Sequence, residues 1–156
     1  MRVRDFDVND APAVHDLIGA TIDACYPAHY PPRAVEFFKA FHSPEALVRR
    51  AETGILLVVE DGGRIIGTGA LVDGEIGGVF VLPDEQNRGI GASVMDELER
   101  TARSSDLRSV ELDVSLPSHG FYERRGYRML ESRSIDVGEG ETLDYWRAVK
   151  RLAGES

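Results

Sequence analysis

The turn Gln86-Asn87-Arg88-Gly89-Ile90-Gly91 follows an apolar run, Val79-Phe80-Val81-Leu82-Pro83, and opens a helical pattern from Ile90 to Arg103. A strand that turns through glycines into a helix builds an anion site. The first N–H groups of the helix lack intrahelical partners, and the helix dipole is positive there. Gly89 and Gly91 carry no Cβ, so a phosphate can approach the backbone closely. The stretch is not a nucleotide P-loop, because no Gly-Lys-Ser/Thr follows. It is not a dinucleotide fingerprint either, because the position three after Gly91 is Val94 and no βαβ unit begins at the N-terminus.

Further along lies Phe121-Tyr122-Glu123-Arg124-Arg125-Gly126-Tyr127. The pattern Q-x-x-G-x-G after a Val-x-Pro strand end, with this aromatic-Tyr to Gly-aromatic stretch behind it, resembles the GNAT superfamily of acetyl-CoA-dependent N-acetyltransferases. The resemblance implies an acetyl-CoA loop at Gln86, Asn87, Arg88, Gly89, Ile90, Gly91 and Ala92, next to a strand end at Phe80 and Val81. It implies that Tyr122 contacts the donor and protonates the leaving thiolate, since a phenol is protonated at neutral pH. It implies a backbone N–H as oxyanion donor, for which Val81 is the candidate. Glu75 is the candidate base, acting directly or through water, with Asp73 and bulk water as alternatives. Many members have an Asn after the fifth strand; here Ser115-Leu116-Pro117-Ser118 stands there, so the hydroxyls of Ser115 and Ser118 would make the pantetheine contacts.

The formal net charge is −9. Such a surface argues against nonspecific binding of nucleic acid or anionic membranes. A polyanionic donor therefore needs a local positive island, expected from backbone N–H groups with Arg88, Arg124 and Arg125. The only cysteine, Cys25, excludes an intrachain disulfide, and its helical setting reads as remote from the loop, against an acetyl-cysteine intermediate. His15, His29, His42 and His119 show no metal-ligand spacing, so no metal is expected. Met1 to Asp5 enters a strand pattern without a signal-peptide core, and no apolar run reaches membrane-span length. The expectation is a cytoplasmic, single-domain chain over residues 1–156, a homodimer as is common in that superfamily, with a small-molecule amine or peptide as acceptor. A noncatalytic acetyl-CoA-binding or regulatory domain and a protein or peptide N-acetyltransferase are the competing readings. The stretch Tyr26 to Tyr30 either shapes the acceptor pocket or packs its aromatics on the sheet.

The elements that must position these groups read from periodicity. Arg2 to Val8 is a strand. Asn9 or Asp10 caps a helix whose apolar face is Val14, Leu17, Ile18, Thr21, Ile22 and Cys25. Helical patterns follow over Pro32–Phe41 and from a Ser43 cap to Glu52. Ile55 to Val59 is apolar throughout, a strand covered on both faces. Arg64–Val72 and Glu75–Leu82 return across Asp61-Gly62-Gly63 and Asp73-Gly74 turns, and Gly77-Gly78 within a strand reads as a bulge or a close ligand approach. Within the Ile90–Arg103 helix, Glu99–Arg103 and Asp96–Arg100 read as outward pairs. Ser109–Val114 alternates as a half-exposed or near-edge strand; Ser118–Arg125 is a short helix, and Tyr127–Val137 with Thr142–Val149 closes a hairpin. The order is β-α-α-β-β-β-α-β-α-β-β, an α/β arrangement (α+β type). The resemblance adds a three-layer fold: a strongly twisted mixed sheet of about seven strands with helices on both faces, splayed between the fourth and fifth.

Overall fold

The computed structural model describes residues 1–152. Its elements are β1 (Arg2–Asp5), α1 (Ala11–Cys25), α2 (Pro32–Phe41), α3 (Pro44–Thr53), β2 (Ile55–Asp61), β3 (Arg64–Val72), β4 (Glu75–Val81), α4 (Ile90–Ser104), β5 (Ser109–Ser115), α5 (His119–Arg124), β6 (Arg128–Gly138) and β7 (Glu141–Arg151). Three helices precede β2, as the three helical patterns predict and one more than the order β-α-α-β counts; Ser43 caps α3 by accepting from the Ala46 N–H at 3.2 Å. β1 stops at Asp5 rather than Val8. Asp7 there forms a capping box with Asp10, and Asp10 is further bonded to Arg4, so it leaves α1 without a side-chain cap.

The seven strands form one mixed sheet in the order β1-β2-β3-β4-β5-β7-β6. The apolar run of β2 divides between the faces: Leu57 and Val59 enter the core under α4 and α5, while Leu56 and Val58 enter the core under α1, α2 and α3. The helix α4 lies very close to the sheet, and glycines allow it. A Cβ at Gly69 would sit 2.6 Å from Val94 Cγ1, and one at Gly67 would sit 3.0 Å from Ile90 Cγ2.

All pairings are antiparallel except β4 with β5, which is parallel and limited to Glu75↔Glu111 and Ile76↔Leu112. Beyond Ile76 the two strands part. A β4 bulge falls at the same place: Gly78 and Val79 together oppose Gly69, with Gly78 at φ 60. The strand β5 is not near an edge, since it lies between β4 and β7. Its alternation separates Val110, Leu112 and Val114, buried under α4, from Glu111 and Asp113 on the opposite face, where both lie within 4 Å of Arg147.

The α4 face expected to be solvated also differs. Glu99 is buried, and its carboxylate accepts from Tyr127 Oη at 2.9 Å and Lys150 Nζ at 2.8 Å, with Arg125 at 3.3 Å. Arg100 pairs with Glu97 rather than Asp96. The buried carboxylate thus ties α4 to the end of α5 and to β7, and it is affordable only because three donors surround it.

The close seat of α4 predicts that Gly69→Ala, which forces Val94 away, lowers the melting temperature by roughly 3–10 °C. Gly19→Ala in α1, whose added methyl meets nothing within 4 Å, should leave it unchanged or slightly raised. Equal melting temperatures for Gly69→Ala and wild type would show that α4 does not depend on that glycine.

Candidate active site

The divergence of β4 and β5 opens a cavity of about 620 Å³ that reaches both faces of the sheet. Tyr122 of α5 and Ser115 and Ser118 line it from one side, and Tyr26, His42 and Arg50 from the other. Glu75, Gly77, Gly78 and Phe80 of β4 form its floor.

The start of α4 follows β4 through the loop past Val81 and is not part of the cavity lining. Gly89 is its N-cap at φ 78, a left-handed conformation that favours glycine, and Asn87 is also left-handed at φ 67. No side chain caps α4, so the N–H groups of Ile90, Gly91 and Ala92 point free of the helix; the first intrahelical bond runs from the Ser93 N–H to the Gly89 carbonyl at 3.0 Å. Gly91 is not required by the local packing, since its Cβ would meet Phe121 at 3.5 Å, an ordinary contact. Gln86 donates from Nε2 to the Val81 carbonyl at 3.0 Å, fastening the loop to the strand end, and Thr21 of α1 donates to the same carbonyl at 3.3 Å. The Leu82 N–H bonds Ile66 across the β3 ladder at 3.0 Å, so by strand alternation the Val81 N–H faces the opening between β4 and β5.

The arginines behave differently from the positive island read in the sequence. Arg88 is paired with Glu85 and lies 3.8 Å from Asp61. Arg125 is not at the loop: it bonds Asp96 at 2.8 Å and Glu99 at 3.3 Å, in the seam between α4 and α5. Arg124 folds back over the start of its own helix, with Nη1 about 3.0 Å from where a Gly120 Cβ would stand. The positive character of the loop comes mainly from backbone N–H groups.

Tyr122 is buried, with its ring edge-on to Phe121 and Tyr127. Burial holds its phenol well above the usual tyrosine range, and neighbouring Tyr26 adds to this. The group is a proton donor at any physiological pH. Tyr26 is pushed up to about 12 by burial and donates to Ser115 Oγ at 3.2 Å, which meets Ser118 Oγ at 2.9 Å. Both serines therefore line the cavity as one hydroxyl chain. Tyr30 is bound to the Asp144 carbonyl at 2.7 Å and the Leu116 N–H at 2.9 Å. The Tyr26–Tyr30 stretch thus packs its aromatics on the sheet, while Tyr26 also walls the cavity.

Glu75, at the opposite end of β4 from the loop, is held by Arg147 at 2.5 Å; the same guanidinium bonds Asp113 at 2.9 Å. Asp73 lines the cavity as well. Phe80 turns its ring into the core beneath α1 and α2, 5.1 Å from the His42 ring. His42 accepts at Nδ1 from Arg50 at 3.0 Å, which places its own proton on Nε2. Burial, with Arg50 adding, lowers its pKa to about 3, so it stays neutral. Cys25 is closer to the loop than the sequence suggested, with Sγ 3.8 Å from Gln86 Nε2, but it borders the loop entrance and does not line the cavity.

Sequence reasoning missed His42, Arg50 and Asp113. Only Asp113 left a signal, the alternation of β5. Among the described residues no cluster of three or more His, Cys, Asp or Glu is placed to hold a metal, and no helix is long and apolar enough to cross a membrane.

Residues 26–138 match the family model for an acetyltransferase (GNAT) domain. Solved structures share the fold over nearly full length. A GCN5-related N-acetyltransferase from Rhodopseudomonas palustris is 22% identical with a TM-score of 0.88, covering 97% of this chain and 95% of that one. The PaiA N-acetyltransferase from Thermoplasma acidophilum, in complex with coenzyme A, is 16% identical with a TM-score of 0.76, covering 96% and 98%. The yncA protein of Salmonella typhimurium, with acetyl-CoA, is 18% identical with a TM-score of 0.70, covering 100% and 96%. At these identities the likeness is one of fold.

The free N–H groups at the start of α4 yield a sharp expectation. Gly91→Asp places a carboxylate at the second helical position, where it favours the helix and fits beside Phe121. Folding should be preserved or slightly strengthened, while acetyl-CoA affinity falls roughly 100-fold or more. Calorimetric titration alongside a melting curve checks both; affinity within a few-fold of wild type would remove the loop from the binding site.

Proposed function

The chain belongs to the GNAT acetyltransferase family, and from that premise we propose that it transfers an acetyl group from acetyl-CoA to a primary amine by direct attack in a ternary complex. The observation that carries this reading is the cavity between β4 and β5. The buried phenol of Tyr122 lines it, and the uncapped N–H groups of α4 stand past the end of β4, one of the strands that line it. Two of the structural neighbours hold coenzyme A or acetyl-CoA, which supports the same donor here.

In this reading the backbone amides from Arg88 to Ala92 hold the donor's pyrophosphate, with Gln86 and Asn87 at the loop entrance. The unpaired Val81 N–H and the hydroxyls of Ser115 and Ser118 line the path of its pantetheine arm. Acetyl-CoA supplies a thioester carbon open to attack. The Val81 N–H donates to the oxyanion that develops there. The amine nitrogen forms its bond to the acetyl carbon as the carbon–sulfur bond breaks, and Tyr122 gives its proton to the departing sulfur. The proton lost by the amine passes to water. Glu75, bonded to Arg147, stands roughly 20 Å of strand from Val81, beyond the reach of one bridging water, which favours the bulk-water alternative over Glu75 as base. Cys25 lies outside the cavity, which favours direct transfer over an acetyl-cysteine.

The acid role of Tyr122 is open to a clean test. Nothing among the described residues hydrogen-bonds its hydroxyl, so Tyr122→Phe leaves no partner orphaned and keeps the ring packing. The melting temperature and acetyl-CoA affinity should hardly move, while kcat falls about 10²–10⁴-fold. The loss should shrink with an acetyl donor whose thiol leaves more readily. A well-folded mutant with near-wild-type turnover would take Tyr122 out of the mechanism.

A further inference from the structure

The acceptor side of the cavity holds an unusual charge. Arg50 lines it, half-buried, and its guanidinium is fixed by two neutral acceptors, His42 Nδ1 at 3.0 Å and the Phe41 carbonyl at 3.1 Å. No carboxylate of the described residues lies within ion-pair distance of it. Burial and Arg49 both press against its charge, and no acid supports it. Nη1 rests against the β4 bulge, 3.1 Å from where a Cβ on Gly78 would stand, so the glycine makes room for it. This half-buried guanidinium is held by neutral acceptors and the Phe41 ring alone, and in a protein of net charge −9 no shortage of acids explains the missing counter-charge.

Carboxylates line the same cavity. Asp73, Glu75 and Asp113 line the cavity, and Arg147 matches only the last two. Phe37 and Phe41 also line the cavity, stacked at 6.5 Å and both exposed; one face of Phe41 is taken by Arg50, 5.5 Å from its centroid, and the rest of the pair is an apolar surface open to solvent.

We propose that the acceptor is an amino acid, a primary amine bearing a carboxylate close to it and an apolar side chain. This rests on the acetyl-transfer reading above and narrows its substrate. The carboxylate pairs with Arg50, whose planar fork suits it. The side chain lies against Phe37 and Phe41, and the ammonium faces the carboxylates of the cavity before it loses its proton. Polyamines, with no anion to offer Arg50, are repelled by it.

The test titrates L-phenylalanine and phenethylamine, which differ by the carboxylate, into the protein saturated with coenzyme A. Phenylalanine should bind about 10–100-fold more tightly. Arg50→Met should erase the difference, and Arg50→Lys, which keeps the charge, should retain part of it. Equal or tighter binding of phenethylamine, binding of neither compound, or a preference that survives Arg50→Met overturns the proposal. Coenzyme A release from acetyl-CoA with phenylalanine is scored separately. Binding without release would overturn the acetyl-transfer reading and leave the carboxylate site standing.

Discussion

Strands β4 and β5 are bonded at Glu75↔Glu111 and Ile76↔Leu112 and nowhere else. Past that point each strand has a line of backbone polar groups facing a gap. Such groups need partners, and the structure meets the need unevenly. The Val81 carbonyl is taken by Gln86 and Thr21, while its N–H is left facing the opening. The bulge at Gly78 helps to turn β4 away, and its missing side chain lets Arg50 and His42 come down onto the strand. The free Val81 N–H, the cavity and the close approach of Arg50 to β4 all follow from this one failure of pairing.

The electrostatics follow a similar economy. The chain is strongly acidic, and the cations expected at the loop before α4 are already engaged, Arg88 with Glu85 beside it and Arg125 with Asp96 and Glu99 away from it. The helix start therefore supplies the positive end from its own peptide dipoles, which no surface carboxylate can neutralise without capping the helix. The acceptor wall, by contrast, uses a full side-chain charge in Arg50 and leaves it unmatched.

What could be read from residues alone depended on how local the cause was. Gly89 and Gly91 announce their loop because a left-handed helix cap and a free helix end are properties of neighbouring residues. The all-apolar run of β2 announced burial on two faces for the same reason. Glu99 could not be read, since a carboxylate is buried only if Tyr127, Arg125 and Lys150 arrive from distant sequence. Arg125 was misplaced for the same reason, as its partners sit a helix away. His42 and Arg50 carry no periodic signature, because their position depends on the approach of α3 to a bulge in β4. The alternation of β5 was visible, but it has two causes, a solvated face or a charged cleft wall, and only strand order separates them.

Strand order also sets a sequence of assembly. β1 through β4 pair only with one another, apart from the two-residue contact to β5, and short turns join β2, β3 and β4. Strand β5 gains its full-length neighbour only when β7 arrives, at the end of the chain. Emerging from the ribosome, the N-terminal half can zip up through local hairpins while β5 waits for a distant partner. The cleft wall built by Ser115, Tyr122, Leu143 and Tyr145 is thus the last part of the molecule to close. A nascent chain has the glycine loop before α4 ahead of any cavity, and the cavity is enclosed only once β7 is in place.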